Sequence, residues 1–346
     1  MNTFTRRRER SEAADLLARS RKEVDPELRA AVDSLPAAMR RVAAYHLGWQ
    51  DPDGMPGPGH AGKAIRPALV LAATEALGGR PQDAVRAAAA VELVHNFTLL
   101  HDDVIDRDHT RRHRPTAWTV FGVSDAILAG DALQSLALRI LAGDPHPAGA
   151  AAAARLADCV IELCEGQHDD CAFEHRTDVT LEESLAMAEA KTGALLGCAC
   201  ALGALYAGAD GPAADAMDQF GRQAGLAFQL IDDLIGIWGD PATTGKPAGA
   251  DLSARKKSLP VVAALTSGRP GSAELARMYA GEDPMDGVAL RRAAEAVERA
   301  GGRDWAQSEA SVRMAGAMDD LAIAVPDLAR AEDLLTLAEF VTRRNC

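Results

Sequence analysis

Aromatic residues make up only 4% of the 346-residue chain, and no run alternates β-branched with polar residues between turn dipeptides. Both shortages count against β-sheet, whose strands draw on those side chains. Positive charge is also short: 37 Lys and Arg face 50 Asp and Glu, a net charge of −13. Nucleic-acid backbones are held by clustered Lys and Arg, so no nucleic-acid partner is expected. No stretch approaches the roughly 20 apolar residues of a membrane span. The six cysteines (Cys159, Cys164, Cys171, Cys198, Cys200, Cys346) lack CxxC spacing and read as reduced, mostly buried thiols. Arg6-Arg7-Arg8 are followed by Glu9, Glu12 and Asp15 rather than by an apolar run, which fits neither a secretory nor an organelle leader. The expectation is a cytoplasmic protein.

Alanine and leucine are abundant, and they favour helix. The pattern predicts long helices near 67–77, 82–107, 117–142, 146–170, 181–208 and 212–238. A charged-then-apolar helical stretch precedes them over 10–47, broken at Pro26 and Pro36. Turn-rich loops lie at Gln50–Gly62 and Gly239–Gly249. No 20–50-residue repeat is present, which argues against a solenoid. The chain reads as all-α, a single-domain antiparallel helical bundle around a central cavity. Residues 26–346 form that domain, and residues 1–25 form a charged, flexible segment serving as tail or docking element.

Two helices that are apolar to their ends finish in carboxylates: Asp102-Asp103-Val104-Ile105-Asp106 and Asp232-Asp233. Residues four apart share a helix face, so Asp102 and Asp106 point together while Asp103 lies about 100° round. Carboxylates packed within one turn repel one another and need a cation. Hard oxygen donors at this spacing suit Mg²⁺, which fills its other positions with water and phosphate oxygens. Basic residues follow each cluster: Arg111 and Arg112 the first, Lys246, Lys256 and Lys257 the second. Together with Lys63 and Arg66, placed at the start of a helix, they suit a diphosphate whose charge metal ions neutralise only in part. Taken singly, each of these residues is also what a solvated helix end or an ordinary surface carries.

In this order the residues resemble the trans-isoprenyl diphosphate synthases, also called polyprenyl synthetases, over about residues 60–260. Gly62-Lys63-x-x-Arg66-Pro67 resembles GKxxRP. Asp102–Asp106 with Arg111-Arg112-His113-Arg114-Pro115-Thr116 resembles DDxxD followed by RRxxPT. Gly166-Gln167-His168-Asp169-Asp170 is similar to GQxxD, and Lys191-Thr192 to the KT pair. Phe228-Gln229-x-x-Asp232-Asp233, with Gly239-Asp240, Thr244-Gly245-Lys246 and Lys256, resembles the second aspartate-rich region.

The resemblance implies an isoprenoid synthase-type fold, a homodimer, and condensation of isopentenyl diphosphate with allylic diphosphates. It implies two or three Mg²⁺ ions, for which Mn²⁺ can substitute. Lys63, Arg66, His95 and Arg112 would hold isopentenyl diphosphate. Asp102, Asp106 and Asp232 would bind metal, with Asp103, Asp170 and Asp233 nearby or coordinating through water. Arg111, Lys191, Lys246 and Lys256 would clamp the allylic diphosphate, and Thr192 and Gln229 would flank the reacting carbons.

Two positions depart from the family pattern. Where the second cluster usually carries a third aspartate this chain has Gly236, and position 64, usually Arg, is Ala. Phe97, five residues before Asp102, with Thr98 after it, resembles the product-length floor of the shorter-chain enzymes, so a twenty-carbon geranylgeranyl product is expected, with fifteen-carbon farnesyl next. The rival readings are a class I terpene cyclase, which would not need Lys63, Arg66, His95 and Arg112, and a non-catalytic partner subunit, which should have lost Asp102–Asp106.

Overall fold

The computed structural model describes residues 3–57, 62–239, 249–281 and 284–342. Among these the regular structure is helical apart from two dipeptide strands, β1 (Thr110–Arg111) and β2 (Arg114–Pro115), paired antiparallel. The chain is all-α, as expected. The helices are α1 (Thr3–Asp33), α2 (Ala37–His46), α3 (Ile65–Ala76), α4 (Val85–Ile105), α5 (Ala117–Phe121), α6 (Val123–Ala142), α7 (Gly149–His175), α8 (Leu181–Ala188) and α9 (Ala194–Tyr206). They continue with α10 (Gly211–Trp238), α11 (Ala250–Ser253), α12 (Leu259–Thr266), α13 (Ser272–Ala280), α14 (Gly287–Arg299), α15 (Gly302–Ala324) and α16 (Glu332–Thr342).

Three departures from the sequence expectation have local causes. Helix α1 runs through Pro26 without the expected break. An interior proline costs about 3 kcal/mol, but Ala13, Leu16, Leu17, Val24, Leu28, Ala31 and Val32 form one buried stripe across it. Burying that stripe outweighs the lost hydrogen bond. The helix therefore also crosses the boundary drawn at residue 25. Gly122, at φ 94°, divides the stretch expected as one helix into α5 and α6. Between α8 and α9 the chain makes a π-helical turn over Glu189–Gly193.

The run Leu181–Tyr206 is by length and composition apolar enough to cross a membrane, contrary to the expectation that no such stretch exists. Most of it is buried inside the protein, which is the property of a core helix.

The chain divides into two compact units. The first comprises Met1–Val160, Cys198–Met217 and Ala324–Leu337. Its central element is α4, which packs most extensively on α6 and also on α3 and α1. Ala87, Ala88, Ala89 and Ala90 are fully buried, so small side chains on every face let neighbours crowd α4. That crowding fixes the register in which α4 delivers Asp102 and Asp103 at its end.

The second unit comprises Ile161–Gly197, Asp218–Ile323 and Ala338–Cys346. Here Leu226, Leu230, Leu234, Ala188, Leu259, Ala306 and Ala310 form a core, sending α10 to its paired aspartates with its apolar side buried. Close approach sets the geometry. A Cβ on Gly166 would lie 2.7 Å from the Lys191 nitrogen, and one on Gly221 would lie 2.4 Å from the Leu196 oxygen. Because backbone cannot yield as a side chain can, Gly221→Ala is expected to lower unfolding free energy by about 1–3 kcal/mol. Urea denaturation should show a lower midpoint with unchanged slope.

Candidate functional site

In the first unit α4 ends with Asp102 partly exposed, Asp106 exposed, and Asp103 only 1% exposed. The inward turn of Asp103 follows from its 100° offset. Arg111 Nε donates to Asp103 Oδ1 at 2.6 Å, while Oδ2 is buried without a hydrogen-bond partner. Burial pushes the Asp103 carboxyl up, further than the Arg111 charge pulls it down.

Arg111 opens a two-residue hairpin whose central residues, Arg112 and His113, both lie in the left-handed region (φ 51° and 61°). Such a turn normally takes Asn or Gly, and a side chain there costs about 1–2 kcal/mol. Contacts made by the flanking residues hold it. Arg114 donates to the carbonyls of Tyr45 (3.1 Å) and Gln50 (3.3 Å), and the Tyr45 hydroxyl donates to the Pro115 carbonyl at 2.8 Å.

The turn brings Arg112 to the glycine motif. A Cβ on Gly62 would lie 2.5 Å from Arg112 Nη2, so glycine is the residue that fits. Arg21 donates to the Gly62 carbonyl. Lys63 is exposed and stands two residues before α3, rather than inside its first turn with Arg66. Arg66 Nη1 lies 3.2 Å from His95 Nε2, and its Nε is buried without a partner.

Beneath them Glu92 and Asn96 are buried, with Asn96 Nδ2 donating to Glu92 Oε1 at 3.1 Å. Burial raises the Glu92 carboxyl against the opposing pull of Arg66, Asn96, Arg112 and Arg21. Burial and then the neighbouring guanidinium charges hold His95 well below its ordinary value and push His46 down to about 3. Both rings are neutral at pH 7, so His95 Nε2 accepts from Arg66 and carries its proton on Nδ1. Phe97 is buried, edge-on to His101 at 4.8 Å between centroids.

In the second unit the π turn aims Lys191 at Asp170 (Nζ to Oδ2, 2.5 Å). Next to it Thr192 Oγ1 donates to Gln229 Oε1 (2.9 Å), Gln229 Nε2 to Asp233 Oδ1 (2.7 Å), and the Leu259 N–H to Asp233 Oδ2 (2.9 Å). Both Asp233 oxygens thus serve a ladder joining the π turn, α10 and α12. Burial pushes its carboxyl up to about 6, against the pull of Lys256 and the Leu259 N–H. Asp232 is exposed. For Lys256, burial opposes the ammonium, but Asp233, Asp251, Asp170 and Asp232 outweigh it and raise its pKa. Lys257 is committed to the carbonyls of Phe173 (2.5 Å) and Glu174 (3.0 Å). Lys246 and Asp240 lie outside the described residues.

The missing third aspartate has a counterpart. A Cβ on Gly236 would lie 2.2 Å from Asp251 Oδ2 and 2.5 Å from Asp251 Cγ. The Asp251 carboxylate, carried by α11, occupies the place into which a side chain at 236 would grow.

The family model for polyprenyl synthetases matches residues 58–312. The chain belongs to the polyprenyl synthetase family. It is 48% identical over 332 residues to a geranylgeranyl diphosphate synthase of Mycobacterium tuberculosis, covering 96% of this chain and 94% of that one. A (2E,6E)-farnesyl diphosphate synthase of Mycobacterium bovis is 46% identical over 326 residues, covering 93% and 90%. Among solved structures, a polyprenyl synthetase from Streptomyces coelicolor A3(2) superposes with a TM-score of 0.90 at 46% identity, covering 94% of this chain and 98% of that one. A geranylgeranyl pyrophosphate synthase from Corynebacterium glutamicum, complexed with isoprenyl diphosphate and magnesium, does so at 0.78 and 28%, covering 96% and 99%.

Sequence reasoning missed Arg21, Glu92, Asn96 and Asp251. Glu92, His95 and Asn96 share a face of α4 by their i, i+3, i+4 spacing, which was a usable signal. The gap at Gly236 likewise invited a search for another carboxylate. Nothing local marks Arg21.

The Asp233 carboxyl, ordinarily near 3.8, titrates near 6 when folded. Its contribution to stability is therefore complete below pH 4 and lost as pH rises through 6. In chelator-treated protein Asp233→Asn should flatten the fall in unfolding free energy across that window, by up to about 3 kcal/mol. Urea titrations from pH 4 to 7 measure it.

Proposed function

We propose that this chain is a prenyltransferase of the short-chain isoprenyl diphosphate synthase type, joining isopentenyl diphosphate to allylic diphosphates, with a twenty-carbon product favoured over fifteen. The cation group around Gly62 carries this reading. Arg66 and Arg112 lie beside neutral His95, Lys63 follows Gly62 at the surface, and the buried Arg66 Nε is left without an acceptor. Such a group suits an anion bound by protein charge, as isopentenyl diphosphate would be. A terpene cyclase has no use for it. A silent partner subunit has no need of Asp102, Asp103 and Asp106, which are intact.

The family is divalent-metal dependent, and the donors fit Mg²⁺. Asp102 and Asp106 lie on one face, and the buried Asp103 Oδ2 is an acceptor without a partner. Among the described residues no three such side chains approach closely enough to chelate an ion alone, so diphosphate oxygens and water would complete the shell, as Mg²⁺ prefers. Asp102, Asp106 and Asp232 are the holding residues in this reading, with Asp103, Asp170, Asp233 and Asp251 supporting. Bound there, the metal supplies positive charge against the allylic diphosphate.

The protein's own groups do the rest. Lys191, Lys246, Lys256 and Arg111 neutralise the leaving diphosphate as the allylic C–O bond breaks. Thr192 and Gln229, hydrogen-bonded to each other, would flank the carbon that becomes cationic. Lys63, Arg66 and Arg112 hold the isopentenyl double bond in line. The new C–C bond forms from that double bond, and the proton released passes to the departing diphosphate. Phe97 closes the path of the growing chain, and a homodimer belongs to the same reading.

Purified protein given Mg²⁺, isopentenyl diphosphate and each allylic diphosphate should yield elongated diphosphates. Hydrocarbon from geranylgeranyl diphosphate would favour the cyclase instead, and no turnover the subunit. Asp102→Asn should lower kcat by about 10²–10³-fold. Phe97→Ala should shift products to longer chains by liquid chromatography, and an unchanged product would remove Phe97 as the floor.

A further inference from the structure

Helix α1 contributes one residue to the first group. We propose that Arg21 is a positioning residue for the isopentenyl diphosphate site, holding the Gly62–Arg66 segment in register against Arg112; this rests on the function proposed above.

The segment needs an external hold. Gly62 and Ala64 are both left-handed (φ 50° and 53°), and Ala64 begins α3 without a side-chain cap. Two left-handed residues in three, one of them bearing a Cβ, persist only where the surroundings enforce them. Gly62 is gripped from two directions. Arg21 Nη2 donates to its carbonyl, and the Arg112 guanidinium fills the space where a Cβ would stand. Arg21 is itself on a rigid mount, because Ser20 and Val24 beside it are buried along with Ala13, Leu16 and Leu17.

The contact Arg21 makes with this segment is the hydrogen bond to the Gly62 carbonyl, which makes it a positioning residue acting through the backbone. Its charge also bears on the group, opposing that of Arg112 and favouring ionised Glu92. The N-terminal helix thereby becomes part of the site. The family model itself begins at residue 58 and includes none of this helix.

The test uses full-length wild type, Arg21→Ala, Arg21→Gln and Arg21→Lys. With allylic substrate saturating, Arg21→Ala should raise KM for isopentenyl diphosphate about tenfold, leaving kcat and the allylic KM within twofold. Calorimetric binding of isopentenyl diphosphate to metal-free protein should weaken by the same factor. Arg21→Lys and Arg21→Gln, which each keep an N–H donor, should fall between. An unchanged KM and Kd in Arg21→Ala would overturn the inference, as would kcat and both KM values worsening together with a lowered melting temperature. If Arg21→Ala does not fold, the same criteria apply to Arg21→Gln. Wild type that fails to elongate any substrate would instead defeat the proposed function.

Discussion

The ion pair between Arg111 and Asp103 holds the site residues of the first unit in place. Asp103 is 1% exposed and Arg111 29%, at 2.6 Å. Removing one partner from a buried pair costs about 3–5 kcal/mol, and the remaining exposure of Arg111 puts this one at the low end. More depends on it than its energy. It ties the end of α4 to the hairpin whose strained turn presents Arg112, and Arg112 in turn excludes any side chain at Gly62. One buried carboxylate therefore sets the position of Arg112 against the Gly62–Arg66 segment, while Asp102 and Asp106 on the same helix end remain turned outward.

The same economy appears in the second unit. Asp233 is spent on Gln229 and the Leu259 N–H, which fixes the amide that receives Thr192, while Asp232 beside it stays exposed. In each aspartate pair the inward residue builds scaffold and the outward residue stays accessible to solvent. Helical geometry enforces that division, since adjacent positions are 100° apart and only one can face the core. Gly236 fits the same logic. Asp251 arrives from another helix, so an aspartate at 236 would collide with it, and glycine leaves the space in which Asp251 stands.

The fold was largely legible because its signal is periodic: Ala- and Leu-rich stretches predicted α3, α4, α7 and α10 within a few residues, while Gly122 divided the stretch 117–142. Pro26 misled because local propensity was outweighed by a buried stripe spanning it, and the π turn had no signature apart from the Lys191-Thr192 pair it carries. Within the site, residues recurring in motifs were found, and the structure brings together Lys191 with Asp170, Thr192 with Gln229, and Arg66 with His95. Arg21 and Asp251 escaped because each acts away from its own stretch of sequence, Arg21 on the Gly62 carbonyl and Asp251 in the space that Gly236 leaves open. A glycine reports that space is taken without saying by whom.

In the proposed function the two diphosphates are held by different means, isopentenyl diphosphate by protein cations alone and the allylic diphosphate by cations together with metal on the carboxylates. Calorimetry of isopentenyl diphosphate, and separately of an unreactive thio-analogue of an allylic diphosphate, with and without Mg²⁺, tests this directly. Isopentenyl diphosphate should bind with similar affinity in both conditions, while the allylic analogue should bind only with the metal. Equal metal dependence of the two ligands, or strong metal-free binding of the allylic analogue, would show that both diphosphates are held in the same way.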